Sequence, residues 1–371
     1  MGATLVPATW PPLQDAEVRD VLAAYATRLG PAVGAATVRW HSPRPMSAAG
    51  LVDVGAATVF VKRHHRAVRS IASLRTEHAL AAHLRRRAVR VPEVVVADDG
   101  ATVRQLGDWR YEVHRLADGV DLYADVPSWR PYATAAHARA AGRALASVHA
   151  AAADFRARAR PFGPLVTSMA LAAARDPGEA LARLFGSRPG LAAALARHGA
   201  TDGLAADCLP ALERASRALR ALPRHWGHGD WHPSNLTWTG HGPSADVVGV
   251  LDLGLANRTA HVFDLALAIE RTGVDWLAVD GAPTVDLGAI DALLEGYAAV
   301  RPLSAAEWRA LGDVLPACHV EYALSEVTYF ATVVRDEADT ALAANGYLVG
   351  HCRYFADGEG AALLAHLRRR G

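Results

Sequence analysis

The sequence almost lacks lysine. Lys62 is the only lysine among 39 lysine and arginine residues, so the chain supplies nearly all of its positive charge with arginine. Asparagine is also scarce and occurs only at Asn235, Asn257 and Asn345. Where a sequence avoids a residue type this strongly, its rare occurrences call for a chemical explanation.

Cysteine is nearly absent as well. Cys208, Cys318 and Cys352 lie far apart, form no C-x-x-C pair and are odd in number. This pattern excludes a disulfide framework and favours a reducing compartment. Residues 1–12 lack a basic segment followed by an apolar run, and no stretch of about 18 uncharged apolar residues occurs. The sequence therefore predicts a cytoplasmic protein with no membrane partner.

Excess charge of either sign is missing too. The 39 basic residues are balanced by 38 acidic residues, which gives a formal net charge of +1. A near-neutral chain gives no electrostatic reason to expect a nucleic acid as partner. With 371 residues, of which 51% are hydrophobic, the chain can bury a large core and is expected to form two lobes or domains. Oligomeric state stays open.

The first third of the chain has the pattern of an antiparallel sheet combined with helices. Asp15–Leu29 and Ala67–Arg87 show helical spacing of apolar residues. Short segments rich in β-branched residues, separated by glycine and proline, predict strands. These predicted strands are Ala36–Trp40, Leu51–Val54, Thr58–Val61, Val91–Ala97, Thr102–Gln105 and Tyr111–His114.

Helical patterns dominate after Pro131. A small pair of strands, Leu236–Trp238 and Val247–Leu251, interrupts them. The predicted helices are Ala133–Ala152, Pro177–His198, Leu204–Leu222, Val262–Arg271, Ile290–Val300, Ser304–Val334 and Ala361–Arg370. The strand-rich part ends near Leu116–Gly119, so the sequence predicts an α+β chain with a boundary there.

The strongest local pattern is the segment His228–Asn235. In it Asp230 is followed five positions later by Asn235, in a predicted loop between a helix and a strand. This is the spacing of the D-x-x-x-x-N catalytic loop of kinases. Phosphoryl transfer needs a carboxylate to orient the attacking hydroxyl and accept its proton, and a neutral oxygen ligand for Mg²⁺. Asp230 fits the first role and the amide oxygen of Asn235 fits the second.

A second acidic residue, Asp252, follows the predicted strand Val247–Leu251 and precedes Gly254 by two positions. Kinases place their main metal-binding carboxylate after an apolar strand and just before a glycine. Asp252 is therefore the candidate ligand that bridges Mg²⁺ to the β- and γ-phosphates.

Lys62 ends the segment Val59–Lys62, which resembles the V-A-I-K strand whose lysine reaches the α- and β-phosphates. A compact ammonium suits this position better than the larger, planar guanidinium of arginine. Glu77, on the following predicted helix, is placed to pair with Lys62 and hold it extended, because either charge buried alone would be costly. A surface ion pair is the alternative.

These parts, in this order, resemble the aminoglycoside phosphotransferase and choline kinase-like family of small-molecule kinases, over roughly residues 36–334. The resemblance implies a two-lobed, protein-kinase-like α+β fold. Its antiparallel-sheet N-lobe, residues 1–116, would bind the nucleotide, and its mainly helical C-lobe, residues 117–371, would carry catalysis and the acceptor. ATP or GTP is the implied co-substrate and Mg²⁺ the implied cofactor, both held between the lobes.

The resemblance also implies roles for further residues. Asp264 matches the family's D-L-A segment, in which the aspartate braces the catalytic loop, and His228 has a structural role beneath that loop. The segment Tyr111–Leu116, with His114 and Leu116, resembles the hinge whose backbone meets the purine.

Two departures from kinase patterns matter. The loop Ser42–Gly50 is not a G-x-G-x-x-G sequence, although Ser47 and backbone N–H groups are candidates to cover the phosphates. No arginine precedes Asp230 and no A-P-E segment occurs, which argues against a protein kinase regulated by activation-loop phosphorylation.

The acceptor is expected to meet one face of the last long helix, which offers His319, Tyr322, Glu326 and Tyr329. A buried polar stripe between helices is the alternative explanation. His232 is either a structural residue or an aid to catalysis. Aromatic surface with one carboxylate suits a neutral or singly charged alcohol such as a sugar, a nucleoside or a natural product, including an antibiotic, better than a polycation.

Other functions fit the sequence less well. A true aminoglycoside kinase is the rival within the family. A nucleotide-binding pseudokinase would lack part of the set Asp230, Asn235, Asp252 and Lys62, which is complete here. A metallohydrolase with ligands at His228, Asp230 and His232 would give Lys62 no role.

Overall fold

A computed structural model describes residues 7–128, 130–277 and 283–371. The chain divides into two compact units. Unit 1 comprises Met1–Ser128 and Pro233–Gly254, and unit 2 comprises Trp129–His232 and Leu255–Gly371. The segment that contains Asn235 and Asp252 therefore packs with the strand-rich first part of the chain.

The strands are short after the first sheet. In the described residues they are β1 (Thr37–His41), β2 (Ala48–Val54), β3 (Ala57–His65), β4 (Arg104–Leu106), β5 (Trp109–Arg115), β6 (His225–Trp226), β7 (Leu236–Trp238), β8 (Val247–Val250), β9 (Arg258–Thr259), β10 (Val274–Asp275) and β11 (Thr284–Val285).

Helices make up most of unit 2. The described α-helices are α1 (Asp15–Leu22), α2 (Ala26–Leu29), α3 (Ile71–Arg86), α4 (Ala135–Ala152), α5 (Pro177–Ser187), α6 (Pro189–Arg197), α7 (Thr201–Gly203), α8 (Leu209–Leu219), α9 (His261–Gly273), α10 (Leu287–Val300), α11 (Ala305–Tyr329), α12 (Glu337–Ala341), α13 (His351–Ala356) and α14 (Gly358–Arg368). Wider π-helical turns occupy Leu204–Cys208, Phe330–Val334 and Leu342–Gly350. None of the described helices has the length and apolar character needed to cross a bilayer.

The core of unit 1 is an antiparallel sheet with strand order β1-β2-β3-β5-β4. Alternation along β2 and β3 sends Val52, Val59 and Val61 into the interior, where they are fully buried. Lys62 follows Val61 and leaves the opposite face of β3, and its direct partner on β5 is Glu112. The sheet thus places a lysine beside a glutamate on neighbouring strands.

The strand predicted at Val91–Ala97 is wrong. Pro92 has no N–H to donate to a ladder, and the segment makes only an isolated bridge between Val94 and His114. It runs beside β5 as irregular chain, held by Val95 N–H on the C=O of Val113 and by Arg115 N–H on the C=O of Glu93. Its β-branched residues match the pattern of a strand, but the segment does not pair with β5 as a continuous strand.

Two predicted helices are interrupted in unit 2. The segment Pro177–His198, predicted as one helix, forms two. Helix α5 stops at Ser187, and α6 begins at Pro189, which suits the first position of a helix. The helix predicted to Val334 changes to π-helical turns after Tyr329 and ends at Arg335, whose φ is 64°.

Glycine allows helices α4 and α10 of unit 2 to pack closely. A Cβ atom on Gly142 of α4 would overlap the C=O of Leu293 on α10, and one on Gly296 of α10 would overlap the C=O of Arg139. The two helices can therefore approach backbone to backbone only because both positions lack a side chain.

Candidate active site

Lys62 and Asp252 form an ion pair in unit 1. Nζ of Lys62 lies 2.8 Å from Oδ2 of Asp252, with 14% and 32% of the two side chains exposed. Burial acts to lower the pKa of Lys62, but the charge of Asp252, followed by that of Glu112, outweighs it and raises the pKa above its ordinary value. Lys62 is therefore an ammonium ion, as phosphate binding requires.

The backbone at Asp252 is fixed in an unusual conformation. Its φ is 52°, in the left-handed region that residues other than glycine seldom adopt. Oδ1 accepts the N–H of Gly254 at 3.0 Å, the side-chain-to-backbone bond with which aspartate tolerates such turns. This bond leaves Oδ2 directed at Lys62.

Glu77 has a buried partner, Arg69, that the sequence did not indicate. Its Oε1 lies 3.5 Å from Nε of Arg69, and the hydroxyl of Ser73 donates to the same oxygen at 3.4 Å. Arg69 also donates from Nη2 to the C=O of Gly254 at 2.9 Å. The charge of Glu77 is also among those that raise the pKa of Lys62, and a direct Lys62–Glu77 ion pair stays a prediction.

Asn235 lies at the same end of a hairpin as Asp252. Strands β7 and β8 pair Leu236 with Val250, and one residue further along, the N–H of Leu251 donates to the C=O of Asn235 at 2.8 Å. Asn235 is 3% exposed. Unit 1 therefore carries two oxygen-bearing side chains, on adjacent strand ends, that fit the ligand preference of Mg²⁺.

The remaining candidates for nucleotide binding also belong to unit 1. Ser47 is half-buried just before β2, and Leu116 is 46% exposed just after β5. His114 lies within β5, where Nε2 is 3.3 Å from Oε2 of Glu112. Strand β5 ends at Arg115, so Leu116 is the first residue of the predicted hinge beyond the strand.

In unit 2 a single carboxylate organises the loop that contains Asp230. Asp264, at the start of α9, accepts the N–H of His228 at 2.6 Å and of Gly229 at 2.8 Å. Nε2 of the buried His149 lies 2.9 Å from the same carboxylate. Burial raises the pKa of Asp264, but the hydrogen bond and charge of His149 outweigh it, so the pKa is lowered and the carboxylate stays ionised.

The imidazole of His228 lies beneath the loop. Its Nδ1 accepts the N–H of Asp230 at 3.2 Å, and its ring packs edge-on against Trp231. One hydrogen bond to the loop backbone and one ring contact are what a structural residue would make.

The carboxylate of Asp230 lies close to His232. Nε2 of His232 lies 3.4 Å from its Oδ2, and the Asp230 side chain is 20% exposed. Burial opposes ionisation, but the charge and hydrogen bond of His232, with further help from Arg271, lower the pKa of Asp230 well below its usual range. Asp230 is therefore a carboxylate at neutral pH.

The predicted acceptor face is more highly charged than the sequence suggested. On α11, His319 is buried with Nε2 3.2 Å from Oε1 of Glu270, and the guanidinium of Arg271 lies 5.6 Å from the ring centre of Tyr322. Glu270 and Arg271 are both almost completely buried. They went unnoticed in the sequence because a glutamate next to an arginine within a helix is an ordinary surface pattern.

Glu326 is the least satisfied group on this face. It is 1% exposed, and neither carboxylate oxygen makes a hydrogen bond of normal geometry with the described residues. Burial raises its pKa to about 8, partly offset by the charge of Arg271 and by the nearby hydroxyl of Tyr322. Tyr329, the fourth predicted residue of this face, is fully buried.

The sequence and the fold both have relatives among known phosphotransferases. The family described as the Phosphotransferase enzyme family matches residues 47–303. A homoserine kinase of Gluconacetobacter diazotrophicus is 32% identical over 221 residues, which is 59% of this chain and 59% of that protein. The chain thus matches about three fifths of the length of this curated relative.

Two solved structures share the fold. A microcompartment-associated aminopropanol kinase superposes with a TM-score of 0.57 at 19% identity, covering 92% of this chain and 97% of that one. An aminoglycoside phosphotransferase from Alicyclobacillus acidocaldarius gives a TM-score of 0.55 at 17% identity, covering 97% of both chains. These similarities confirm the predicted protein-kinase-like α+β fold.

Proposed function

Because the chain belongs to the phosphotransferase enzyme family, we propose that it transfers the γ-phosphoryl group of ATP or GTP to a hydroxyl of a small molecule. The observation that carries this proposal is the Lys62–Asp252 pair. The only lysine of the sequence reaches, at 2.8 Å, the acid that follows β8. In kinases these two positions hold the phosphates and the metal.

Unit 1 supplies the groups for the nucleotide. Lys62 would bind the α- and β-phosphates as a point charge, while Asp252 and the amide oxygen of Asn235 would hold Mg²⁺. The bound Mg²⁺ would neutralise negative charge on the β- and γ-phosphates. Arg69 and Glu77 would keep the turn at Gly254 in place, since Arg69 bonds to both.

Asp230 would act on the acceptor hydroxyl. Its lowered pKa keeps it ionised, so it can accept a hydrogen bond from the hydroxyl over the whole physiological range. The same lowered pKa makes it a weak base, which suits a reaction whose transition state is loose and places little charge on the attacking oxygen. Its role is to orient the hydroxyl and to accept the proton as the new P–O bond forms.

We further propose that the acceptor is a small hydroxylated molecule with no large net charge, with homoserine as the first candidate. Homoserine carries one ammonium, one carboxylate and one hydroxyl group. Arg271 offers a cation for the carboxylate. The carboxyl of Glu326, whose pKa burial raises to about 8, would pair with the ammonium by giving up its proton when the acceptor binds. A polycationic aminoglycoside would need several carboxylates and would be repelled by Arg271. The similarity to a homoserine kinase supports the same choice.

The test is phosphate transfer from ATP and from GTP to a panel of acceptors, read by mass. The panel should contain homoserine, a neutral sugar, a nucleoside and a kanamycin-like polyamine, with O-methylhomoserine as the control that lacks the acceptor hydroxyl. Transfer to homoserine, and none to its methyl ether, is the expected result. Turnover of the polyamine alone would overturn the acceptor assignment and leave the kinase assignment intact.

A further inference from the structure

Three histidines converge on one buried glutamate in unit 1. Nε2 of His64 lies 2.9 Å from Oε1 of Glu112, and Nε2 of His78 and of His114 lie 2.6 Å and 3.3 Å from Oε2. The Glu112 side chain is 6% exposed. In the described part of the chain its hydrogen-bonding and ion-pair partners are these imidazoles, with no arginine or lysine among them.

The cluster combines residues from three elements: strands β3 and β5 and helix α3. Glu112 and His114 are two positions apart on β5, so their side chains leave the same face of the strand. His78 comes from α3 and His64 from the neighbouring strand β3. Lys62, the ladder partner of Glu112, supplies positive charge nearby, but the groups in direct contact with the buried carboxylate are imidazoles, which together with it form a set of metal ligands.

We propose that His78, Glu112 and His114 bind a Zn²⁺ ion through their Nε2, Oε2 and Nε2 atoms. These ligand atoms all lie within 4.8 Å of one another. Zinc binds imidazole nitrogen and carboxylate oxygen at about 2.0–2.2 Å in tetrahedral geometry, which sets ligand atoms roughly 3.4 Å apart. The two Nε2–Oε2 separations, 2.6 Å for His78 and 3.3 Å for His114, differ from this spacing by less than about 1 Å.

His64 would be the positioning residue of the site. It contacts the other oxygen of Glu112, and a donor on that oxygen fixes the orientation of a metal-binding carboxylate. Two imidazoles and one carboxylate favour Zn²⁺ over Mg²⁺, which prefers an all-oxygen octahedral set. This site is independent of the proposed Mg²⁺ ligands Asp252 and Asn235.

The ion would fasten α3 to β5. His78 lies on α3 one residue after Glu77, and Glu112 is the ladder partner of Lys62. A bound Zn²⁺ would therefore stabilise unit 1 against unfolding and hold the helix that carries Glu77. This effect would not require nucleotide or acceptor.

The test uses the full chain, freed of metal with a chelator and then titrated with Zn²⁺ by calorimetry and with Co²⁺ by visible absorption. We expect one ion per chain, the intense d–d bands of tetrahedral Co²⁺ and a higher Tm with Zn²⁺. His114→Ala should remove these signals, and His64→Ala should weaken binding about 10–100-fold. His41→Ala, on the edge strand β1, is the control expected to bind like the wild type.

Glu112→Gln guards against loss of folding, since the amide keeps the shape of the carboxylate and one acceptor oxygen but loses the charge. A folded Glu112→Gln chain, judged by circular dichroism, should bind no Zn²⁺. The proposal is overturned if the wild type binds no Zn²⁺. It is also overturned if binding survives Glu112→Gln or His114→Ala, because the ion would then sit elsewhere.

Discussion

Nζ of Lys62 and Oδ2 of Asp252 lie 2.8 Å apart, although the residues are 190 positions apart in the sequence. The contact joins the end of the apolar series of β3 to the turn that follows β8. It gives the single lysine of the chain a defined partner and fixes the direction of its ammonium.

The first prediction concerns the nature of this cation. Lys62→Ala should raise the KM for the nucleoside triphosphate at least tenfold, and Lys62→Arg should not restore it, because the planar guanidinium is larger and more rigid than an ammonium. Steady-state kinetics with varied ATP and GTP measure this. Arg66→Ala is the matched control, since Arg66 follows β3 but has 63% of its side chain exposed. Wild-type kinetics in Lys62→Arg would show that the lysine is not required as such.

The second prediction concerns the metal. Asp252→Asn keeps the oxygen that accepts the N–H of Gly254 but removes the charge, so Mg²⁺-dependent transfer should be lost while the fold persists. Asp246→Asn, in the same hairpin and exposed, should behave like the wild type. Activity is followed against Mg²⁺ concentration and after addition of a chelator. Transfer that resists the chelator would contradict the roles given to Asp252 and Asn235.

The third prediction concerns the loop that carries Asp230. Gly229 has a φ of +79°, and a Cβ added to it would lie 2.6 Å from the C=O oxygen of Leu255. Gly229→Ala should therefore displace Asp230 and lower kcat by about 10²-fold, since displacements near 1 Å can cost that much. The KM for the nucleotide should change little.

Gly240→Ala provides the comparison, because a Cβ at Gly240 meets no atom within 4 Å. Equal kcat values for the two alanine variants would mean that the conformation of Gly229 does not position Asp230.

The fourth prediction concerns stability and pH. Glu321 is fully buried, and its Oε1 accepts the N–H groups of Leu171 and Ala172. Burial, opposed by these hydrogen bonds, raises its pKa from 4.5 to about 7. The folded chain thus retains a proton that the unfolded chain loses, so the free energy of unfolding falls as pH rises from about 4.5 to about 7 and levels off above.

Glu321→Gln lacks this titration. Relative to the wild type, its free energy of unfolding should rise by up to about 3 kcal/mol between about pH 5 and about pH 8. Urea unfolding at the two pH values measures the difference, with the exposed Glu213→Gln as control. If the free energy of unfolding differs between the wild type and Glu321→Gln by the same amount at both pH values, the pKa of Glu321 is not raised.

Much of this protein could be predicted from its sequence because its patterns are local. The β-branched runs gave β1, β2, β3 and β5 to within a few residues, and the family was correctly predicted from Lys62, Asp252 and the segment His228–Asn235. Such motifs can be recognised in a sequence because each chemical role needs a particular residue type at a particular spacing.

The contacts between buried charged residues could not be predicted from the sequence. Glu77 pairs with Arg69, and Arg271 lies over Tyr322, through contacts that no spacing in the chain encodes. In a sequence with so many arginines, the few that are buried look like all the others. The roles given to Asp230, Asn235 and Asp252 stay predictions.

The central claim is that Asp230 orients and deprotonates the acceptor hydroxyl. Its most direct test is single-turnover phosphoryl transfer by Asp230→Asn, which keeps the size of the side chain and removes its charge, with nucleotide affinity measured alongside. The account predicts normal nucleotide binding and transfer slowed by about 10²–10⁴-fold. Transfer at the wild-type rate by a folded Asp230→Asn chain would contradict it.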